Sequence, residues 1–572
     1  MQKFLIGIFL LMGVRPVLAQ KAEAENGMLI GTQTESSRAG YSGNGYVTGF
    51  DQDGDALTMN LEVSRSGLYN LRIGYAAPFG EKTNDVYVNA AFSGSHVFPF
   101  TNSFTETLFG KVFLQQGPNE ITIVKSWGFF EVDYVSVTPA VRNEIHHYSE
   151  DLIHPDASFE AVTLYQFIRD YYGHHIISGQ QSFNGTNLEL DYLMEHTGKW
   201  PAIKGFDLID YSPSRVEFGT TSEETDFAID WWDLGGIVSL MWHWNAPKDL
   251  LDTEDAPWWS GFYTYATTFD HTIAMNDENS EEYELIIRDI DSIAVQLKLL
   301  DAANVPLLWR PLHEAEGGWF WWGSRGSEAC VWLWQLMYER LTTYHGLDNL
   351  IWVWTGTSSP DAMDWYPGDD YVDLIGADTY FGEEVVDYPT SLTLFDNMAG
   401  IHQGKKVLTL SETGRIPDAD HLLEEKARWS WFCLWSGDFI LDGMQNEIDH
   451  VNMVYNHEYV ITYDELPDFY NYVSPDFPDE EVEEPAPLSA APAAFYSVYP
   501  NPTADYLTIT FAEPARVELV TLHNVKGERV EYLVKEEIDQ QKILDLNGLA
   551  DGLYILQVFT AGGVERLKIR KN

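Results

Sequence analysis

The chain has 572 residues, 45% of them hydrophobic and 14% aromatic, which is too long for one core of usual size and apolar enough for two or three folded domains. With 88 acidic against 34 basic residues it carries a net charge of −54. That field repels nucleic acid and anionic membranes and suits a neutral partner outside the cell.

In chain order, residues 1–19 read as a signal peptide. Lys3 supplies the charged start, Phe4 to Val14 the apolar stretch, and Val17-Leu18-Ala19 the small-residue cleavage site. That stretch is too short to span a bilayer, no later one reaches the needed length, and no membrane insertion is expected. Residues 20–140 alternate apolar and polar positions in GLYNLRIGYA, DVYVNAAF and NEITIV, between Gly, Asn and Pro punctuation. This pattern predicts an N-terminal β-sandwich.

Residues 141–475 change character. Eight apolar runs, at 174–180, 200–208, 235–244, 305–314, 349–356, 372–380, 406–412 and 431–437, alternate with helical segments such as EYELIIRDIDSIAVQLKLLDAAN. Strand–helix alternation of this count predicts a central (β/α)8 TIM barrel. Cys330 and Cys433 fall in this region, outside any CxxC or Cys/His cluster, so zinc is not expected; they can pair or lie as buried thiols. Residues 476–492, DFPDEEVEEPAPLSAAP, read as an acidic, Pro-rich linker. Residues 493–572 hold further alternating runs and predict a small C-terminal β-sandwich.

The chemistry gathers where barrel strands end. His243, His313, Glu314, Asp378, Tyr380 and Glu412 all close apolar runs, and barrels of this type present catalytic groups there. Glu314 stands in PLHEAEGGWFWWG at the end of the fourth run, Glu412 in VLTLSETGR at the end of the seventh. Two carboxylates at one barrel mouth can flank a glycosidic bond, and a separation of roughly 5–5.5 Å gives retention of configuration. A neutral His313 and the aromatic run would keep Glu314 dry and raise its pKa, as an acid requires; a Tyr380 hydroxyl would keep Glu412 ionised. Structural readings compete. Glu314 can be a capping charge at a helix start, His243 a core histidine between two tryptophans, and Asp378 a loop cap. The abundance of Trp and Tyr, 20 and 31 residues, favours carbohydrate, although large barrels also use aromatics as core.

RPLHEAEGGWFWWG and SETG resemble glycoside hydrolase family 26, mainly endo-β-1,4-mannanases, over about residues 170–440. The resemblance implies Glu314 as acid/base and Glu412 as nucleophile, without a cofactor. It also implies His243, His313, Trp319 and Tyr380 around the −1 sugar, with Asp378 in support. Trp435 is the implied sugar platform, with Trp429 and Trp431 as close competitors. AEGG after the HE pair departs from the Met or Asn of many members, which touches subsite preference more than mechanism. The implied activity is a secreted retaining endo-β-1,4-mannanase acting on mannan, glucomannan or galactomannan. Alternatives are a hydrolase of mixed-linkage glucan or β-xylan, or a non-catalytic glycan-binding protein, against which the intact Glu pair argues.

AEAENG, YSGNGYVTGF, SGLYNLRIGYA and WGFFEVDYVSV resemble carbohydrate-binding modules of the family 35/6 type. That resemblance implies a structural Ca2+ on Glu23, Glu25 and Asp133, whose hard oxygens suit the ion; solvated edge charges are the alternative. Trp127 is a candidate sugar platform or a core residue. VYPNPTADYLTITF, NGLADGLYILQV and the final KIRK resemble the C-terminal sorting domain of type IX secretion cargo. Export by the type IX machinery, removal of the domain on the way, and a secreted or cell-surface monomer are expected.

Overall fold

The computed structural model describes residues 20–142, 148–357, 361–381 and 387–477, and most of 496–571. The signal peptide expected at 1–19 lies outside the described residues, as does the expected linker from 478 on. Two compact units divide at Pro478/Asp479.

The first unit begins with a sandwich of two antiparallel sheets. In one, Gly67–Ala77 lies between Thr101–Leu114 and Glu131–Pro139; in the other, Gly117–Trp127 lies between Ala56–Val63 and Lys82–Val88. Alternation explains the core: Leu71, Ile73 and Tyr75 face inward from one sheet, and Ile121 and Ile123 from the other.

A closed barrel of eight parallel strands follows: β1 (Ile176–Gln181), β2 (Ile203–Asp207), β3 (Ile237–Met241), β4 (Leu307–Arg310), β5 (Leu350–Thr355), β6 (Leu374–Thr379), β7 (Val407–Thr413) and β8 (Trp431–Leu434). Each of the eight runs read from the sequence overlaps one of these strands, two of which extend one residue further, to Gln181 and Thr413. β1 pairs with both β8 and β2, which closes the cylinder. Helices cover its outside, so strands such as LIWVWT are buried throughout. The longest helix, Glu281–Ala302, starts at a Ser280 cap that accepts the Tyr283 N–H, with three glutamates in its first turn. Ile286, Ile290, Ile293, Leu297 and Leu300 recur at helical spacing and turn inward. A two-residue strand, Val460–Ile461, adds to β1 and was not foreseen.

One register slip matters for the site. Ala377 of β6 pairs with Leu410 of β7, but the next pair is Asp378 with Glu412. Ser411 is thus an extra residue, and such a bulge re-aims the side chains beside it.

The second unit holds two four-stranded antiparallel sheets, centred on Tyr506–Phe511 with Gln541–Asp545 and on Val517–Asn524 with Gly552–Thr560. Leu507, Ile509, Leu522, Leu544, Leu556 and Ile569 form one apolar cluster between them, which is the small sandwich expected. Among the described residues no helix is long and apolar enough to cross a membrane.

Candidate active site

Arg310, the last residue of β4, organises the barrel mouth. It is a cation within an otherwise apolar strand, and its guanidinium is 3% exposed. Nη1 donates to Asp378 Oδ2 at 2.7 Å and Nη2 to Glu412 Oε2 at 2.5 Å. Burial alone would weaken this cation, but the charges of Asp378 and Glu412 hold it well above the usual range. Ser411, the bulge residue, donates to the other Asp378 oxygen at 2.8 Å. The Tyr380 hydroxyl donates to Glu412 Oε1.

Beyond β4 the chain turns sharply. Leu312 and Glu314 both adopt left-handed backbone, at φ 50° and 53°, a strain that clusters at functional sites. Glu314 precedes a short 3-10 turn, Ala315–Gly317, yet makes no capping hydrogen bond, so the capping alternative fails. Its Oε2 instead accepts the Trp319 indole N–H at 2.9 Å. The glycine pair permits this fold-back: a Cβ on Gly317 would lie 2.1 Å from the Trp319 ring. Of the four consecutive aromatics only Trp319 is exposed, at 49%; Phe320, Trp321 and Trp322 belong to the core. The run thus divides between one exposed indole and three core rings, and Glu314 beside it is raised by burial. Trp322 donates to the His313 carbonyl at 2.9 Å, and Trp321 to that of Trp244 at 2.6 Å.

Glu314, Asp378 and Glu412 each bring a carboxylate oxygen within 4.8 Å of the others, the one such group among the described residues. Arg310 already fills that space with positive charge, which disfavours a divalent cation. Burial pushes Glu314 up to about 7, with the Asp378 charge adding to it and the Trp319 N–H and Arg310 opposing. Burial likewise pushes Glu412 up to about 7, with Asp378 adding and Arg310 and Tyr380 opposing. One cation cannot balance three carboxylates, so near neutrality the group retains a proton as a coupled set. The donors decide where it rests. Glu412 and Asp378 each receive an Arg310 N–H and a hydroxyl, whereas Glu314 receives one indole N–H. That imbalance of donors favours the anion at Glu412 and Asp378 over Glu314.

The histidines form a second chain. His243 lies just past β3, between Trp242 and Trp244, which stack on each other at 4.3 Å and bury their indoles. Its own ring turns into the mouth, so it is no mere core residue. Asp207, closing β2, accepts the His243 backbone N–H at 3.1 Å and bonds Nδ1 at 2.7 Å. With Nδ1 as donor, His243 Nε2 is the acceptor for His313 Nε2, 3.2 Å away. Burial first, then Arg310 and His243, hold His313 far below the usual imidazole range, so it is neutral.

A cleft of about 1090 Å³ opens beside this centre, lined by Asp207, His243, Trp259, Phe262, Tyr263 and Trp435 among others. Trp435 hydrogen-bonds through its N–H to Thr413 O at 2.9 Å, and its carbonyl accepts the buried Gln180 amide at 3.2 Å. Trp429 and Trp431 are core, which leaves Trp435 as the platform candidate. Cys330 and Cys433 are buried free thiols.

In the sandwich, Trp127 is 62% exposed and not core. Glu23 and Asp133 meet at Ser42, whose hydroxyl donates to Glu23 at 2.6 Å and whose N–H donates to Asp133 at 2.9 Å. Glu25 accepts Asn44 N–H at 2.6 Å, and its other oxygen is buried without a partner. The three carboxylates thus reach one loop without gathering their oxygens within 4.8 Å of one another, and Lys21 pairs with Glu23 at 3.2 Å; the spare buried Glu25 oxygen is the feature that fits a cation ligand.

An eight-stranded barrel with a gathered set of buried carboxylates and an aromatic cleft at its C-terminal mouth defines a glycoside hydrolase. Residues 153–465 match glycosyl hydrolase family 26, and the chain belongs to that family. Residues 20–140 match the carbohydrate binding module of family 35, and 497–571 a secretion system C-terminal sorting domain, which marks export to the cell surface or beyond. The chain is 43% identical over 444 residues to a mannan endo-1,4-beta-mannosidase of Thermothelomyces thermophilus, covering 78% of this chain and 90% of that one. It is 36% identical over 458 residues to mannan endo-1,4-beta-mannosidase B of Piromyces sp, covering 78% and 77%. The crystal structure of a Podospora anserina GH26-CBM35 beta-(1,4)-mannanase superposes with a TM-score of 0.57 at 44% identity, over 79% of this chain and 99% of that one. A ruminal GH26 endo-beta-1,4-mannanase does so at 0.59 and 31%, over 78% and 98%.

Proposed function

We propose that the chain is a retaining endo-β-1,4-mannanase. Glu314 gives its proton to the glycosidic oxygen as the Glu412 carboxylate attacks the anomeric carbon; the C–O bond breaks and a glycosyl ester forms. Glu314, now a carboxylate, takes a proton from water, the hydroxide oxygen attacks the same carbon, and Glu412 is released. His243, His313 and Trp319 surround the sugar at the point of cleavage, Asp378 braces Arg310, and Trp435 offers a stacking face. The observation that carries this reading is the gathering of Glu314 and Glu412 oxygens within 4.8 Å. That closeness supports a retaining pair, at roughly 5–5.5 Å between carboxyl groups, over an inverting pair at roughly 6.5–9.5 Å. Relatives named as mannanases over most of their length supply the substrate. Proton NMR of mannan or glucomannan hydrolysis should show the β-anomer as first product; an α-anomer removes the mechanism. A screen that adds lichenan and xylan should show preference for mannans, and a stronger response to either addition removes the substrate.

Glu23, Glu25 and Asp133 are the residues that would hold a structural calcium in the sandwich, supported by the unpartnered Glu25 oxygen. No catalytic step passes through it. Exposed Trp127 is the candidate sugar platform of the same module. Because a ligand of the folded state alone raises its stability, calcium should raise the melting temperature and EDTA reverse the rise. Identical melts in both would remove the calcium site.

A further inference from the structure

We propose that the N-terminal sandwich is also part of the catalytic framework: Phe92 buttresses the connection after β6 and thereby positions Tyr380, the donor to Glu412. The inference rests on the reading of Glu412 and Tyr380 given above.

Tyr380 is held at its hydroxyl by Glu412 and along one side of its ring by Gly414 and Phe439, with part of the ring exposed. It stands one residue past β6, is 43% exposed, and packs edge-on against Phe439 at 5.4 Å. Its hydroxyl must stay within hydrogen-bond reach of Glu412. The next residue, Phe381, meets the sandwich. Its ring lies edge-on to Phe92 at 5.6 Å and 78°, and Phe92 is backed in turn by Tyr87 at 5.4 Å. Further along the same connection, Asp387 Oδ2 accepts the Phe92 backbone N–H at 3.1 Å. One residue of the sandwich therefore pins two points of the chain segment that leaves Tyr380.

The surrounding contact is close and polar as well as apolar, unlike a loose tether. Lys111 pairs with Asp396 at 2.8 Å, where Asp396 is 1% exposed, and the Lys111 carbonyl accepts the Thr393 hydroxyl at 2.9 Å. Gly110 makes this approach feasible, since a Cβ there would lie 2.5 Å from Thr393 Cγ2. Phe92 lies outside the apolar core of the sandwich, so truncating it leaves that core whole.

The test uses the full chain and a short aryl β-mannoside, so that glycan capture by the sandwich plays no part. Phe92→Ala should lower kcat about tenfold, since small misplacements of a catalytic group carry costs of this order, with KM changing less than about twofold. On a Tyr380→Phe background the same change should cost almost nothing, because both act through one hydrogen bond. Phe92→Leu, which keeps apolar bulk, should recover part of kcat and serves as the measured variant if alanine loosens the fold. Lys111→Ala weakens the contact away from the connection and should lower the melting temperature with kcat retained. A parental kcat in Phe92→Ala, an additive loss on the Tyr380→Phe background, or an equal kcat loss in Lys111→Ala would each overturn the proposal. A Tyr380→Phe variant with parental kcat would instead remove the underlying reading of Tyr380.

Discussion

Glu412→Ala is expected to abolish turnover of every β-mannoside, activated aryl mannosides included. A good leaving group lessens the need for an acid but not for a nucleophile, so no substrate escapes the loss. The hydrogen bonds around Glu412 support its proposed role as the attacking group. Its oxygens are held by Arg310 Nη2 and the Tyr380 hydroxyl, which favour the anion. The attack then resets the site. Once Glu412 is esterified its charge is gone, and Arg310 balances Asp378 alone. With Asp378 better balanced, its repulsion on Glu314 should fall, and Glu314 should drop below about 7 and serve as the proposed base for the second step. Mass spectrometry of the wild type quenched during turnover of a slow fluorinated mannoside should place the sugar on the peptide containing Glu412. Label on any other residue, or residual aryl-mannoside turnover by Glu412→Ala above about a thousandth of wild type, would end the assignment.

Much of this is legible in the sequence. Buried parallel strands are continuous apolar runs, so all eight were readable, and polar residues closing such runs pointed to the mouth of the barrel. What escaped shows the limit of that signal. Arg310 was read as part of a strand, although a lone cation among VPLLW was itself a mark of a buried ion pair. Asp207 closes the second run in the same manner as Glu412 closes the seventh, yet its partner His243 lies 36 residues on and nothing local links them. The Ser411 bulge depends on pairing with β6 and β8, which no single-strand pattern encodes. The aromatic run mixes one exposed ring, Trp319, with three core rings, Phe320, Trp321 and Trp322, and four aromatics in a row carry no pattern that separates them. The Phe92–Phe381 contact joins residues 289 positions apart in two folds, as 381 minus 92 gives, so composition and periodicity carry no trace of it.

Glu314→Ala should separate substrates by their leaving groups. On mannan, where the departing sugar hydroxyl must be protonated, kcat should fall about 10²–10⁴-fold. On a dinitrophenyl mannoside the first step needs no acid, so the glycosyl ester should form and accumulate, because the base for its hydrolysis is also missing. Azide needs no base, and it should restore turnover by attacking the ester with release of a β-mannosyl azide. The pH profile gives a second, independent sign. Wild-type mannan hydrolysis requires Glu314 protonated, so the rate should fall as pH rises through about 7; the acidic limb reports the ionisation that Glu412 must undergo, and both limbs belong to the coupled pair. In Glu314→Ala, azide-supported turnover of the aryl substrate should lose the alkaline limb and keep the acidic one. Trp319→Phe removes the single donor that opposes protonation of Glu314, so it should move the wild-type alkaline limb upward. A downward move, or near-normal mannan hydrolysis by Glu314→Ala, would show that the acid is some other group.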